Sequence, residues 1–148
     1  MHLSRYTDYA LRTLIYLGIN EGRTCTIPEI ATRYKISRNH LMKIVHQLGR
    51  EGVIETVRGR GGGLRLAPAS KNMSVGEIVR ITEEDLNLVE CFDPTRNQCQ
   101  ITSACVLSSA VNTALAAFMK VLDGVSLADI IKPEKELAKL LGLGPESA

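Results

Sequence analysis

The sequence predicts a mainly α fold, a winged helix-turn-helix with a long C-terminal dimerisation helix. Three observations carry this prediction. Two short amphipathic stretches begin at Thr26 and Ser37 with only a tight turn between them. A β-rich run with a glycine tip follows, and then one long stretch rich in Ala, Val and Leu occupies residues 103–122. The chain has 148 residues, of which 45% are hydrophobic, enough for a core and too many for wholesale disorder. No apolar run is expected to approach a membrane span, and the start, Met-His-Leu-Ser-Arg-Tyr, lacks a signal-peptide layout. A cytoplasmic protein with reduced thiols is the expectation.

Residues 4–20 read as a first helix, capped by Ser4, with Tyr6, Tyr9, Ala10, Thr13, Leu14 and Leu17 at helical spacing. Gly18, Asn20 and Gly22 mark its expected frayed end. Thr26-x-x-Glu29 fits a capping box with Pro28 in the first turn, so a second helix runs to about Tyr34. A third starts at Ser37, buries Leu41, Ile44, Val45 and Leu48, and has Gly49 as its natural stop. Val53–Arg58, the tip Gly59-Arg-Gly-Gly-Gly63 and Leu64–Ala67 read as a hairpin. Helix, helix, helix, hairpin is the order of a winged helix. Ser74-x-x-Glu77 opens a short helix, and the segment from Leu88 to Ser103, with Pro94 and Asn97 as breakers, reads as a loop. In the long helix, apolar residues from Val106 to Leu122 cover more than one face, so burial on two sides is expected, the second against another subunit of a homodimer. The domain division expected is 1–82 for the winged module, 83–102 for a cysteine loop, 103–131 for the dimerisation helix and a short helix, and 132–148 for a weakly specified tail.

The net charge of +2 hides an asymmetry. Residues 1–80 hold 13 of the 18 Lys and Arg but 6 of the 16 Asp and Glu, so the first half is the one suited to an anion. From Arg33 to Arg65 there are 8 basic and 2 acidic residues. Double-stranded DNA is the partner this pattern fits. Arg33, Ser37, Arg38, Asn39, His40 and Lys43 flank or open the third helix, where polar side chains reach base edges and amides meet phosphate. Arg58, Arg60 and Arg65 surround a tip at which Gly61 and Gly62 permit close approach to a duplex. A merely solvated basic face is the alternative. The tip is no nucleotide site: Leu64 breaks the dinucleotide fingerprint and no phosphate-binding lysine follows. Neither a nucleophile–base pair nor a catalytic metal motif is visible, so an enzyme is not expected.

Cys91, Cys99 and Cys105 stand at Cys-x7-Cys-x5-Cys spacing. Thiolates suit iron–sulfur clusters and zinc, but structural zinc sites hold cysteines in tighter pairs. A loose loop around a bulky cluster tolerates wide gaps, and with three local thiolates the fourth ligand must come from elsewhere. A non-thiolate position is open to attack by small oxidants, which suits a sensor. Zinc, a thiol redox switch and inert cysteines are the competing readings. Cys25, alone between two helices, reads as a packing residue.

Leu3–Arg12, His40–Val45, Arg58–Arg65 and Glu90-Cys-Phe92 together resemble the Rrf family of winged-helix iron–sulfur transcriptional regulators, most nearly its nitric-oxide-sensitive repressors, to about residue 131. The resemblance implies a homodimer, an iron–sulfur cluster on Cys91, Cys99 and Cys105, [4Fe-4S] favoured over [2Fe-2S], and repression relieved by nitric oxide. It also implies an acidic fourth ligand from the partner subunit, which matches Asp8 here; the plainer reading of Asp8 is a first-turn carboxylate complementing the helix dipole. Relatives that regulate cluster assembly carry a His shortly after the third cysteine, and this chain does not. An iron- or cluster-supply sensor of the same family and a cluster-bearing electron carrier are the alternatives, the latter having no use for arginines at a glycine tip.

Overall fold

The computed structural model describes residues 2–144. Five helices start in the same way: Ser4, Thr26, Ser37, Ser74 and Ser126 each accept a hydrogen bond from the amide three residues on. At Thr26, Ser74 and Ser126 the box is closed by Glu29, Glu77 and Asp129 reaching back to the cap amide. Each such cap satisfies orphan amides and is worth about 1 kcal/mol. The resulting order is α1 (Arg5–Ile19), α2 (Ile27–Tyr34), α3 (Arg38–Arg50), β1 (Ile54–Val57), β2 (Gly63–Leu66), α4 (Val75–Thr82), α5 (Val106–Asp123), α6 (Leu127–Ile131) and α7 (Glu134–Leu140). β1 and β2 form an antiparallel hairpin in which Glu55 faces Arg65. This is the winged helix-turn-helix read from the sequence, with the long helix after it.

α1 is the central element, touching α3, α4, α6 and β2. Leu14, Tyr16, Ile30, Leu41, Ile44, Leu48, Val53, Ile78 and Leu127 lose all solvent contact in one core. Each large apolar side chain so buried contributes roughly 1.5–3 kcal/mol. α1 and α4 are also joined by polar atoms: the buried Thr82 hydroxyl donates to the Ile78 carbonyl at 2.8 Å, leaving Thr7 to donate to Thr82 at 2.9 Å.

The structure departs from the sequence expectations at several points. Gly49 does not stop α3; the helix runs to Arg50 and turns at Gly52 (φ +71°), where the amides of Gly52 and Val53 close onto Gly49 and Leu48. That closure needs a left-handed residue, which Gly49 does not supply. Gly18 lies buried inside α1, where a Cβ would clash with the Ile131 side chain, so it marks the docking of α6 and not a frayed end. α5 begins at Val106, three residues late, because Cys105 itself is the cap, its sulfur accepting from the Ser108 amide.

Within one chain, one side of α5 is covered and the side expected against a second subunit is open. Leu115, Met119 and Leu122 pack on Val75 and Val79 of α4, and Met119 alone is buried, whereas Val106 is 82% and Val121 68% exposed. At 18 residues and a mean hydropathy of 1.3, α5 also has the length and composition of a membrane span, contrary to the expectation that no run approaches one. Finally, residues 134–140 of the tail expected to be weakly specified form α7, whose end brings Leu141 and Leu143 against the core. The last four positions of the tail, 145–148, lie outside the described residues.

Candidate DNA-binding face and cysteine loop

The α2–α3 turn is tightened by Lys35, which adopts φ 55°, and by the Ile36 amide bonding to the Ala31 carbonyl at 2.9 Å. The turn points the first residues of α3 outward. Arg38, Asn39 and Lys43 are exposed on its open face, and Arg33 is exposed in the last turn of α2, its guanidinium beside Gly142. Ser37 is spent partly as the cap, accepting from the His40 amide at 3.2 Å. His40, expected at the DNA, is half-buried instead, its ring 5.2 Å from that of Tyr9 and 5.9 Å from that of Tyr6. Those contacts, with the Tyr6 hydroxyl donating to the Lys43 carbonyl at 3.1 Å, fix α3 against α1. His40 is therefore placed to set the pose of α3.

The wing divides its three arginines. Arg58 and Arg60 are exposed at the tip. Arg65, expected there as well, sits within β2 and pairs with Glu55 across the hairpin at 2.7 Å, because the strand register places the two opposite each other. Gly61 (φ +75°) makes the tip turn, and a Cβ on Gly62 would lie 2.5 Å from the Val57 carbonyl, so both positions require glycine. The Thr24 hydroxyl, which sequence reasoning missed, donates to the Gly61 carbonyl at 2.8 Å and pins the tip to the α1–α2 connection. Nothing in local sequence links positions 37 residues apart.

Cys91, Cys99 and Cys105 are free thiols on a segment in which no residue from 83 to 118 is buried. Two of the three come together. Cys91 Sγ lies 3.3 Å from Ser108 Oγ, and Cys105 Sγ accepts from the Ser108 amide at 3.4 Å. Cys99 is exposed, its amide held by Asn97 Oδ1 at 2.9 Å. Among the described residues no three Cys, His, Asp or Glu side chains form a ready metal cage. Beside Cys105 and Ser108 opens a cleft of about 830 Å³ whose wall includes Phe92, Thr102 and Leu115. Asp8 is engaged by its own helix, bound to Arg12 Nε at 3.0 Å and Nη2 at 2.8 Å.

Cys25 is a different kind of cysteine. It is fully buried, and its backbone bridges to Leu64 through bonds of 2.8 and 2.7 Å. Burial, with the Glu29 carboxylate adding to it and Arg23 opposing, pushes its thiol up to about 11. The thiolate is the reactive form, and a raised value keeps it scarce at every pH below that range. At pH 8, three of the four cysteines of apo-protein are expected to react rapidly with a thiol reagent, and Cys25 only after denaturation. Rapid labelling of Cys25 in folded protein, read by peptide mapping, contradicts its packing role.

Residues 3–133 match the Rrf2 family, described as an iron-dependent transcriptional regulator. The transcriptional regulator NsrR of Bacillus subtilis is 47% identical over 142 residues, covering 95% of this chain and 97% of that protein. The NsrR of Geobacillus kaustophilus matches at the same identity and coverage. Among solved structures, the IscR of T. potens superposes with a TM-score of 0.72 at 25% identity, covering 93% of this chain and 90% of its own. Oxidised CymR of Staphylococcus aureus gives 0.70 at 26%, with 89% and 97% covered. The basic helix-turn-helix and wing thus sit on a scaffold shared with regulators over nearly its whole length, and this chain belongs to the Rrf2 family of DNA-binding transcriptional regulators.

Proposed function

We propose that this regulator is a cytoplasmic, homodimeric repressor that holds its operator while Cys91, Cys99 and Cys105 carry an iron–sulfur cluster, with nitric oxide as the signal. The observation that carries the reading is the meeting of Cys91 and Cys105 at Ser108, where the cysteine loop becomes the exposed helix α5. The donor set fits such a group. Three soft thiols lie on a segment without buried residues, so drawing Cys99 inward sacrifices little packing, and the adjoining cleft gives room. A [4Fe-4S] form is favoured over [2Fe-2S], and Asp8 of a second copy, here paired with Arg12, would be the residue to supply the fourth ligand. When bound, the cluster supplies an iron site without thiolate that is open to nitric oxide. The exposed apolar face of α5 is the surface that a second copy covers.

On the DNA side, Arg38, Asn39 and Lys43 are assigned to base edges, Arg33 and Ser37 to phosphates, and Arg58 and Arg60 to the groove beside the wing. The chain's own bonds connect the two halves. Arg80 of α4 grips Asp123 of α5 through two bonds of 2.6 and 2.8 Å, and Gly76 leaves the space for that carboxylate. Gln47 of α3 donates to the Ile81 carbonyl at the end of α4. A change in the first turn of α5, where Cys105 is the cap, therefore reaches the recognition helix through packed elements, and it need only bias two arrangements of the dimer. The proposed division of labour is 1–82 for DNA, 83–102 for the cluster and 103–131 for the dimer.

Anaerobic purification followed by stepwise addition of nitric oxide tests the reading. The expected result is coloured, iron- and sulfide-containing protein that releases its operator as its visible spectrum changes. Colourless, metal-free protein that binds its operator at full strength overturns it. The family's description as iron-dependent favours one second reading, a sensor of iron or cluster supply. In that case iron chelation releases the operator and nitric oxide does not.

A further inference from the structure

Ser108 is one residue doing two things at the cysteine loop. Its hydroxyl oxygen stands 3.3 Å from Cys91 Sγ, and its amide donates to Cys105 Sγ at 3.4 Å. These sulfurs are 14 residues apart in sequence and arrive from opposite ends of the loop. Between a thiol and a hydroxyl either atom can donate. Once Cys91 is a thiolate, its sulfur has no proton to give, so the serine hydroxyl becomes the sole donor and the bond becomes charge-assisted. The amide bond to Cys105 already has that direction, and it lies in the first turn of α5, where the helix dipole also favours negative charge. The Ser108 side chain is only half-buried, which leaves a metal group room beside it in the open cleft that it lines with Cys105.

We propose that Ser108 is a positioning residue for the metal centre: its hydroxyl and its amide hold the Cys91 and Cys105 thiolates, and together they raise the reduction potential and slow the loss of whatever iron these sulfurs bind. The inference rests on the cluster reading above. The physical reason is that donors to ligand sulfurs offset negative charge, and the reduced form carries more of it. No comparable donor reaches Cys99 Sγ among the described residues, so the three sulfurs are unequal.

Two variants test this in full-length, anaerobically purified protein. Ser108→Ala removes the hydroxyl and leaves the amide, whereas Ser108→Thr keeps both. The readouts are the midpoint potential in a spectroelectrochemical titration and the rate at which an iron chelator bleaches the protein. Ser108→Ala is expected to have a more negative midpoint and to bleach roughly tenfold faster, with Ser108→Thr restored towards the unsubstituted protein. A colourless Ser108→Ala beside a coloured Ser108→Thr supports the inference in stronger form. Equal midpoints and equal bleaching in Ser108→Ala and unsubstituted protein overturn it, as does loss of colour in both variants, which implicates side-chain size and not the hydroxyl. A colourless unsubstituted protein is a different failure, that of the cluster reading itself.

Discussion

Cys99→Ala is expected to remove the visible absorption and the iron of anaerobically purified protein while leaving the fold intact. Cys99 is the informative position because its side chain is exposed and, among the described residues, its hydrogen bonds run through its backbone alone. A surface change of this kind shifts stability by no more than about 0.5 kcal/mol. Cys105 is less clean, since its sulfur also caps α5, and losing a cap adds its own cost. Coupling between an effector site and a ligand site is usually worth 1–3 kcal/mol, so operator affinity is expected to fall by about 5- to 150-fold. Circular dichroism and thermal melting supply the control, and Cys25→Ala supplies the contrast. Cys25→Ala is expected to keep the cluster and lose stability, because Cys25 is buried against Leu64. Retained colour in Cys99→Ala removes the loop as the cluster site. Lost colour with unaltered operator binding separates the metal from DNA recognition and disposes of the regulatory reading.

How far the sequence could be read follows from the range of the interactions involved. Caps are local, and all five hydroxyl caps stand where a Ser or Thr precedes an apolar period; four of the five were legible, and Ser126 before α6 was the one not named. The stop of α3 was misplaced because Gly49 and Gly52 look alike in sequence, and only the left-handed backbone at Gly52 distinguishes them. The basic character of the wing was visible, but the pairing of Arg65 with Glu55 depends on strand register, which composition does not determine. His40 was assigned to DNA from its place at the start of α3, whereas the rings of Tyr6 and Tyr9, some thirty residues upstream, draw it inward. The three cysteines were legible as a set. Their asymmetry was not, since it comes from Ser108 touching two of them and not the third. α5 was read as covered on two sides, the second by another subunit, because its apolar pattern goes round the helix; within one chain α4 covers the first side and the other stays exposed.

Arg58→Ala combined with Arg60→Ala is expected to weaken operator binding roughly 50-fold near 0.1 M salt and to make it less salt-dependent. Both guanidiniums are exposed at the wing tip, and neither forms a salt bridge among the described residues, in contrast to Arg65. Each cation that neutralises a phosphate releases condensed counterions and steepens the logarithmic salt slope by about 0.9, so removing two flattens it by about 2. The same release sets the affinity loss, close to one decade per contact at that salt. Arg65→Ala is expected to cost less, because Glu55 already answers its charge, and Lys132→Ala, outside the helix-turn-helix and wing and paired with Asp129, is expected to cost nothing measurable. The measurement is operator affinity over a salt series, alongside the same series on unrelated duplex. A uniform loss on both duplexes assigns the two arginines to phosphates; a loss confined to the operator assigns them to a groove whose width depends on sequence. An unchanged slope in the double variant moves the contact off the wing altogether, leaving α3 with its Arg38, Asn39 and Lys43 to account for binding.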